Sequence, residues 1–132
     1  GTSAWVLLKE DIEKKWKDIP TIICCEKRYI GTKEAYLKKS FIPQNERIPL
    51  NFYQGDIPLT IFQIPCYVKE TLELMKTLYP EMHKLVFLSD GRFINAQYRH
   101  EVDEVMRTQF PDVQVKHLVA GKITNDDLID SN

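Results

Sequence analysis

The strongest candidates for chemistry are four residues that follow an apolar run in the second half of the chain. Ser89, Asp90, Gly91 and Arg92 come directly after residues 85–88, which are all apolar, and directly before a helical pattern. A carboxylate in this place could ligate a metal, accept a phosphoryl group or bind a polar ligand. It could equally cap the following helix, which stabilises a helix by about 0.5–2 kcal/mol.

Two features of this turn favour a binding role. Backbone N–H groups at a helix N-terminus and the guanidinium of Arg92 together attract an anion. The spacing matches neither a phosphate-binding P-loop nor the dinucleotide fingerprint G-x-G-x-x-G. The sequence therefore implies no nucleotide and no other cofactor.

A second polar turn follows the first apolar strand of the chain. Glu26, Arg28 and Tyr29 come after residues 21–25 and offer charge and an aromatic ring. Groups of this kind contact ligands in clefts between packed elements, so we expect these three residues to contact a ligand that lies across such a cleft. The alternative is an ordinary solvated turn.

Cysteine and histidine give little support to catalysis or metal binding. Three cysteines, with one adjacent pair and no C-x-x-C spacing, fit neither a disulfide framework nor a zinc site. We expect Cys24 and Cys25 to be small core residues. Cys66 stands at the start of a helix, a position that can activate a thiol. The three histidines lack metal-ligand spacing, so the sequence predicts no metal site and no catalytic group.

Composition and charge exclude several classes of protein. The chain has 132 residues, of which 43% are hydrophobic and 28% charged, as in a soluble globular domain. A formal net charge of -1 argues against a nucleic-acid partner. No apolar run approaches the roughly 20 residues of a membrane helix. We expect both ends to be cut from a longer protein, so an anchor elsewhere stays open.

The first half of the chain predicts an amphipathic helix, a strand and a long irregular stretch. Apolar residues recur every three or four positions over residues 4–17, and both tryptophans fall on the face expected to pack in the core or against a lobe. Residues 21–25 follow as a β-branched strand. Prolines and glycines interrupt residues 26–58, where the charged run 33–39 could be a helical turn or a surface excursion. Residues 59–64 form a further strand.

The second half predicts helix, strand, helix, strand and the start of another helix. The segments are residues 67–79, 85–88, 93–110, 113–120 and 124–127. Because the first of these strands lacks polar alternation, we expect it to be covered on both faces of a parallel sheet. The predicted fold class is α/β, a truncated three-layer parallel sheet of the Rossmann-like type.

Several segments of the sequence, taken in the order in which they occur, resemble a known family. They are Ile19-Pro-Thr-Ile-Ile-Cys24, the helix from Val68 that ends in Tyr-Pro80, the strand Lys84-Leu-Val-Phe-Leu-Ser-Asp90 and the later Phe-Pro-Asp-Val. Together they resemble the ABC-transporter substrate-binding-protein-like family, which has the two-lobed type I periplasmic-binding-protein fold. The sequence of these segments is more similar to the version of this module that forms the extracytoplasmic sensor region of certain bacterial membrane histidine kinases.

The resemblance implies a domain organisation, a function and partners. Residues 1–64 would be the end of a first lobe and the crossover connection, and residues 65–132 the beginning of a second lobe. The chain would be the periplasmic ligand-binding domain of a two-component sensor histidine kinase. It would close two lobes on a small molecule and signal to a membrane-linked kinase domain in the parent chain. The domain itself would not be an enzyme.

Other interpretations stay open at this point. A receiver or flavodoxin-like module would use Asp90 as a phosphoacceptor, although only Glu26 offers a carboxylate after the first strand to hold Mg²⁺. A free solute-binding protein of an ABC transporter would share the fold, and an enzyme could use a Cys66 thiolate. A truncated α/β unit exposes apolar surface and sheet edges, so we also expect a homodimer.

Overall fold

The computed structural model describes residues 1–122, and over that range the chain is a mixed α/β protein. Its helices are α1 (Thr2–Lys15), α2 (Lys33–Leu37), α3 (Leu50–Tyr53), α4 (Val68–Leu78) and α5 (Phe93–Gln109). Its strands are β1 (Thr21–Cys25), β2 (Tyr29–Ile30), β3 (Ile48–Pro49), β4 (Leu59–Gln63), β5 (Lys84–Ser89) and β6 (Gln114–Val119). The chain divides into two compact units between Cys66 and Tyr67. The helix start expected at 124–127 lies outside the described residues.

The first unit is built on a parallel pair of strands. β1 and β4 pair over the full five residues of each. Ile23 and Cys25 of β1 are buried, whereas Ile22 and Cys24 are exposed, because successive side chains of a strand point to opposite faces. α1 packs against β1 and contributes Trp5, which is 3% exposed.

The stretch expected to be irregular, residues 26–58, is ordered by short elements. β2 and β3 form a two-residue antiparallel pair. The charged run contains α2, whose N-cap Thr32 accepts a hydrogen bond at Oγ1 from the backbone N–H of Ala35 at 3.3 Å. Ile30 and Ile42 are at most 1% exposed. This stretch therefore supplies part of the core of the first unit.

The second unit repeats the parallel arrangement. β5 and β6 pair over six residues, and α4 and α5 pack together beside them. Its core cluster consists of Leu72, Leu85, Val102, Val105, Met106 and Val113. The order of helices and strands predicted for this half is confirmed up to β6. Among residues 1–122, no helix is long and apolar enough to cross a membrane.

The expectation that residues 85–88 are covered on both faces is wrong. Leu85 is 7% exposed, but Val86 is 40% and Leu88 is 68% exposed. In this two-stranded sheet the helices cover the face that Leu85 shares with Phe87, and the alternate side chains project from the other face. An unbroken apolar run therefore has a buried and an open side here.

Two smaller expectations about the core are also wrong. Cys24 is exposed, because it alternates with the buried residues of β1, while Cys25 is 1% exposed as expected. Trp16 is 50% exposed. α1 ends at Lys15, so Trp16 is a C-cap residue with φ -137° and no longer follows the helical face that buries Trp5.

Candidate functional site

Asp90 lies at the carboxyl end of β5 and holds the turn into α5. Its Oδ1 accepts hydrogen bonds from the backbone N–H of Arg92 at 2.9 Å and from Asn95 Nδ2 at 2.5 Å. Its Oδ2 accepts a hydrogen bond from Arg92 Nε at 2.6 Å. The bond to the backbone two residues on makes this an Asx turn, so Asp90 fixes how the chain enters the helix.

The same hydrogen bonds keep Asp90 charged. The backbone N–H of Arg92 is the main reason that the pKa of Asp90 lies below its ordinary value. Desolvation opposes this effect, and the side chains of Asn95 and Arg92 lower the pKa further. Asp90 is therefore a carboxylate throughout the neutral range.

Arg99 fixes the backbone of the turn from the second turn of α5. Its Nη1 donates to Ser89 Oγ at 2.9 Å and to the backbone oxygen of Asp90 at 3.0 Å. Arg92, Asn95 and Arg99 follow i, i+3, i+7 spacing, so they share one side of the helix. The end of β5 and the start of α5 are therefore joined through side chains as well as through the chain itself.

Ser89, Asp90, Arg92, Asn95 and Arg99 together form one hydrogen-bonded group, the Asp90 cluster. The exposed surface of the Asp90 cluster suits ligand binding. The side chains of Asp90 and Arg92 are 39% and 74% exposed. A carboxylate has about four acceptor sites and a guanidinium five donors, so both groups retain capacity for a ligand. Asp90 can accept from a hydroxyl or amide group, and Arg92 can donate to an acceptor or an anion. The arrangement offers recognition by charge and hydrogen bonding.

Gly91 is the least constrained residue of the turn. A Cβ added to it would meet no atom within 4 Å, and its φ is not positive. Neither a close approach nor the left-handed region therefore requires glycine at this position. A ligand contact at Gly91 would rest on its backbone groups.

The other predicted group lies in the first unit. The backbone oxygen of Glu26 accepts a hydrogen bond from Gln63 Nε2 at 3.3 Å, and that of Arg28 accepts one from the backbone N–H of Leu50 at 2.9 Å. Tyr29 begins β2. The side chain of Arg28 is exposed, so its guanidinium faces solvent while its backbone holds the turn.

Tyr29 has an intramolecular partner for its ring. The guanidinium of Arg47 lies 4.3 Å from the centre of the Tyr29 ring and 5.6 Å from that of Phe41. Arg47 Nε also donates to the backbone oxygen of Ile42 at 3.2 Å. Cation–π contacts of this kind contribute about 0.5–2 kcal/mol. One face of the Tyr29 ring therefore has a partner within the chain.

The surroundings of cysteine and histidine side chains bear on whether they could take part in catalysis or metal binding. Burial raises the pKa of the Cys25 thiol, and the carboxylate of Glu26 raises it further, so this thiol stays protonated. Cys66 is exposed and precedes the N-cap of α4. His117 Nε2 lies 2.7 Å from Asp103 Oδ1, a contact that joins β6 to α5. Within residues 1–122, no group of three or more His, Cys, Asp or Glu side chains could hold a metal ion.

Sequence reasoning did not identify the residues that support the predicted ones. Asn95 and Arg99 could have been found, since their spacing from Arg92 puts all three on one side of α5. The contact of Arg47 with Tyr29 joins residues 18 positions apart, and the sequence carries no local signal for it. The sequence likewise carries no local signal for the contact between Asp103 and His117.

The structure places the seven predicted residues in two groups, one in each unit. Ser89, Asp90 and Arg92 belong to one hydrogen-bonded network with Gly91 beside them, and Glu26, Arg28 and Tyr29 follow β1 in the first unit. Each group lies beyond the carboxyl end of a parallel strand. Comparison with protein-family models, with curated proteins and with solved structures finds no match to this chain.

Proposed function

We propose that the chain is a non-catalytic ligand-binding and signal-sensing domain, the periplasmic part of a two-component sensor histidine kinase. The observation that carries the proposal is the Asp90 cluster, in which an exposed carboxylate and an exposed guanidinium are held at the carboxyl end of a parallel strand. Ligands of open α/β sheets bind beyond these ends. Because the two side chains are already ordered, they lose little freedom when a ligand binds.

The proposal includes the three-layer type I periplasmic-binding-protein fold. Each unit has a parallel strand pair with helices packed against it, which corresponds to two of the three layers. Residues 1–64 would end the first lobe and form the crossover connection, and residues 65–132 would begin the second. The resemblance of the sequence phrases to the sensor version of this family supports the same assignment.

In this proposal the ligand is a small molecule held by polar contacts. Ser89, Asp90, Gly91 and Arg92 are the candidate contacts in the second unit, and Glu26, Arg28 and Tyr29 are those in the first. Closure of the lobes would change the spacing of the membrane-linked termini and so act on the kinase domain of the parent chain. A free solute-binding protein would bind in the same way without that coupling.

The geometry of Asp90 favours binding over phosphorylation. Both of its carboxylate oxygens accept hydrogen bonds from the turn and the helix that follow it. A phosphoacceptor needs neighbouring carboxylates that hold Mg²⁺, whereas the ion-pair partner of Asp90 is Arg92. These contacts suit a carboxylate that positions a helix and faces a ligand.

A thermal-shift screen against sugars, amino acids, nucleobases and aromatic acids tests the proposal. A ligand that binds only the folded state raises the unfolding midpoint by mass action. We expect at least one of these classes to raise it, and Arg92→Gln to abolish the rise. Arg107→Gln removes an exposed charge from the same helix and should leave the rise intact.

Two outcomes would count against the proposal. One is the absence of any shift with all four classes at millimolar concentration. The other is a shift that Arg92→Gln leaves unchanged, because the ligand would then bind away from the Asp90 cluster.

A further inference from the structure

The parallel pair of β1 and β4 buries only one of its two faces. Ile23 and Cys25 are buried in the core of the first unit, and the side chains between them project from the opposite face. The ladder continues one residue beyond β4, where the N–H of Ile64 donates to the backbone oxygen of Cys25 at 2.8 Å. The side chains of this opposite face, called the open face below, belong to Ile22, Cys24, Thr60, Phe62 and Ile64.

The open face is apolar, uncharged and exposed. Ile22 is 72%, Phe62 61% and Ile64 51% exposed, and Cys24 and Thr60 are exposed as well. The sequences of β1 and β4 are TIICC and LTIFQ, neither of which has a charged side chain. Parallel sheets occur almost entirely with both faces covered, and contiguous apolar patches mark interaction sites. The open face therefore requires a cover.

The shape of the open face is complementary to itself. The register places Ile22 beside Thr60 and Cys24 beside Phe62. Each pair joins a large side chain to a small one, and the large one is on β1 in the first pair and on β4 in the second. A half-turn about an axis that runs along the strands, midway between them, places β1 over β4. That half-turn brings each large side chain over a small one.

We propose that a second copy of the chain covers the open face with its own open face, about a two-fold axis parallel to the strands. Phe62 then packs on Cys24 of the second copy, and Ile22 packs on Thr60 of the second copy. The contact is isologous, as a two-fold interface requires. Two sheets pack in this way about 10 Å apart, with their strands within about 30° of each other.

The position of α1 is compatible with this packing. α1 lies against β1, on the side where Trp5 and Ile23 are buried. The two α1 helices of the dimer therefore lie on its outer sides, and the open faces meet in the middle. In this dimer the sheet of the second copy takes the place that a helix layer has in a three-layer fold.

The available area is that of a modest interface. With about 200 Å² for an aromatic side chain and about 100 Å² for an aliphatic one, the open face offers roughly 300 Å² of apolar surface per copy. A standard interface buries about 800 Å² per partner, of which somewhat more than half is apolar. The open face therefore supplies about two-thirds of the apolar area of a standard interface, and the dimer is concentration-dependent.

The absence of charge on the two strands favours a second copy over a different protein. Charges across an interface suppress wrong partners, and neither β1 nor β4 has any. Selection of a partner for the open face then depends on shape, and the shape fits its own copy.

Sedimentation over a wide concentration series tests the dimer. We expect the chain to shift from monomer to dimer with concentration, and Phe62→Lys to stay monomeric, because the dimer would bury the new charge. Phe62 is mostly exposed, so this variant should keep its unfolding midpoint. Phe52→Lys is the matched control, since Phe52 is 83% exposed on α3, outside the open face, and it should dimerise like the parent chain.

Cys24→Phe tests the pairing of large with small side chains. It adds apolar surface to the open face but fills the space that receives Phe62 of the second copy. We expect the dissociation constant to rise. Association driven by apolar area alone would instead become tighter, and that result would overturn the proposed packing.

Alkylation of Cys24 with an excess of a maleimide locates the interface in the unmodified face. The thiol of Cys24 is exposed in the single chain and covered in the dimer. We expect its alkylation rate to fall in proportion to the fraction of monomer as the protein concentration rises. Asn45→Cys supplies an exposed control thiol away from the open face, and its rate should stay constant.

Two further results would overturn the proposal. One is a monomer at every concentration, which would assign the open face to a helix of the parent chain. The other is a dimer that leaves the alkylation rate of Cys24 unchanged. Both would leave the ligand screen, and so the proposed function, unaffected.

Discussion

Asp90 shows how one side chain can serve both the helix and a ligand. The contacts that fix the turn into α5 use both carboxylate oxygens, yet 39% of the side chain is exposed. A carboxylate held in this way presents its remaining lone pairs in a fixed direction. The capping role and the binding role of Asp90 therefore support each other.

The charge on Asp90 makes a defined contribution to the pH dependence of stability. Its pKa is lowered in the folded chain, chiefly by the backbone N–H of Arg92. Its stabilising contribution is therefore complete above the ordinary aspartate pKa of about 3.9 and is lost as pH falls through the lowered folded value. We expect Asp90→Asn to lower the unfolding midpoint at neutral pH, and the difference from the parent chain to shrink on acidification.

Thermal melts of both chains at neutral and acidic pH measure this difference. Asp112→Asn is the control, since Asp112 is exposed in the turn before β6 and lies outside the Asp90 cluster. It should leave the midpoint close to that of the parent chain at each pH. A difference for Asp90→Asn that stays constant with pH would show that the turn depends on shape and not on charge.

At the scale of elements, Gly31 lies between β2 and α2 and allows the side chain of Ile42 to approach the backbone closely. A Cβ at this position would lie 2.5 Å from Ile42 Cδ1 and 2.8 Å from Ile42 Cγ1. Ile42 is 1% exposed, so its side chain would have to shift within the core to make room for the new methyl group. We expect Gly31→Ala to destabilise the chain by about 1–3 kcal/mol through overpacking, as measured by chemical denaturation.

A double substitution tests that cause directly. Ile42→Val removes the Cδ1 atom that the new methyl group would meet, so Gly31→Ala should cost less in that background than in the parent chain. Gly91→Ala is the matched control, because its added Cβ meets no atom within 4 Å, and it should change stability by less than about 0.5 kcal/mol. Equal costs for Gly31→Ala in both backgrounds would exclude the clash with Ile42.

The elements of the second unit could be read from the sequence because each has a strong local signal. α4 and α5 have apolar residues at helical spacing and end beside prolines or aromatic residues, and β5 is an apolar run. What the sequence could not show is which face of β5 is covered. Coverage depends on how many elements pack against the sheet, and a run such as residues 85–88 is compatible with one covered face or two.

The candidate site was predictable at the strand ends and unpredictable in its supporting contacts. Ser89, Asp90 and Arg92 are adjacent in sequence, so the turn that joins them is a local feature. The stacking of Arg47 on Tyr29 depends on the fold of residues 26–58. In that stretch prolines and glycines interrupt the sequence patterns from which helices and strands are predicted. Contacts between distant residues are decided by packing, which no short stretch of sequence specifies.

At the scale of the whole molecule, the chain divides into two compact units, and each buries side chains of its own. The second unit has its own core cluster, which includes Val102 at 1% exposure, and the first unit buries Ile23 at 7% exposure in β1. We therefore expect a defect among the buried residues of one unit to loosen that unit first.

Native-state hydrogen exchange of two core variants tests this independence. Val102→Ala removes two buried methyl groups, and a loss of about 1–2 kcal/mol should speed the exchange of amides in α4, α5, β5 and β6 by about 5–30-fold. Amides of β1 and β4 should keep their rates. Ile23→Val is the reciprocal variant and should speed exchange in β1 and β4 alone. If either substitution speeds exchange equally in both units, the chain unfolds as one cooperative body.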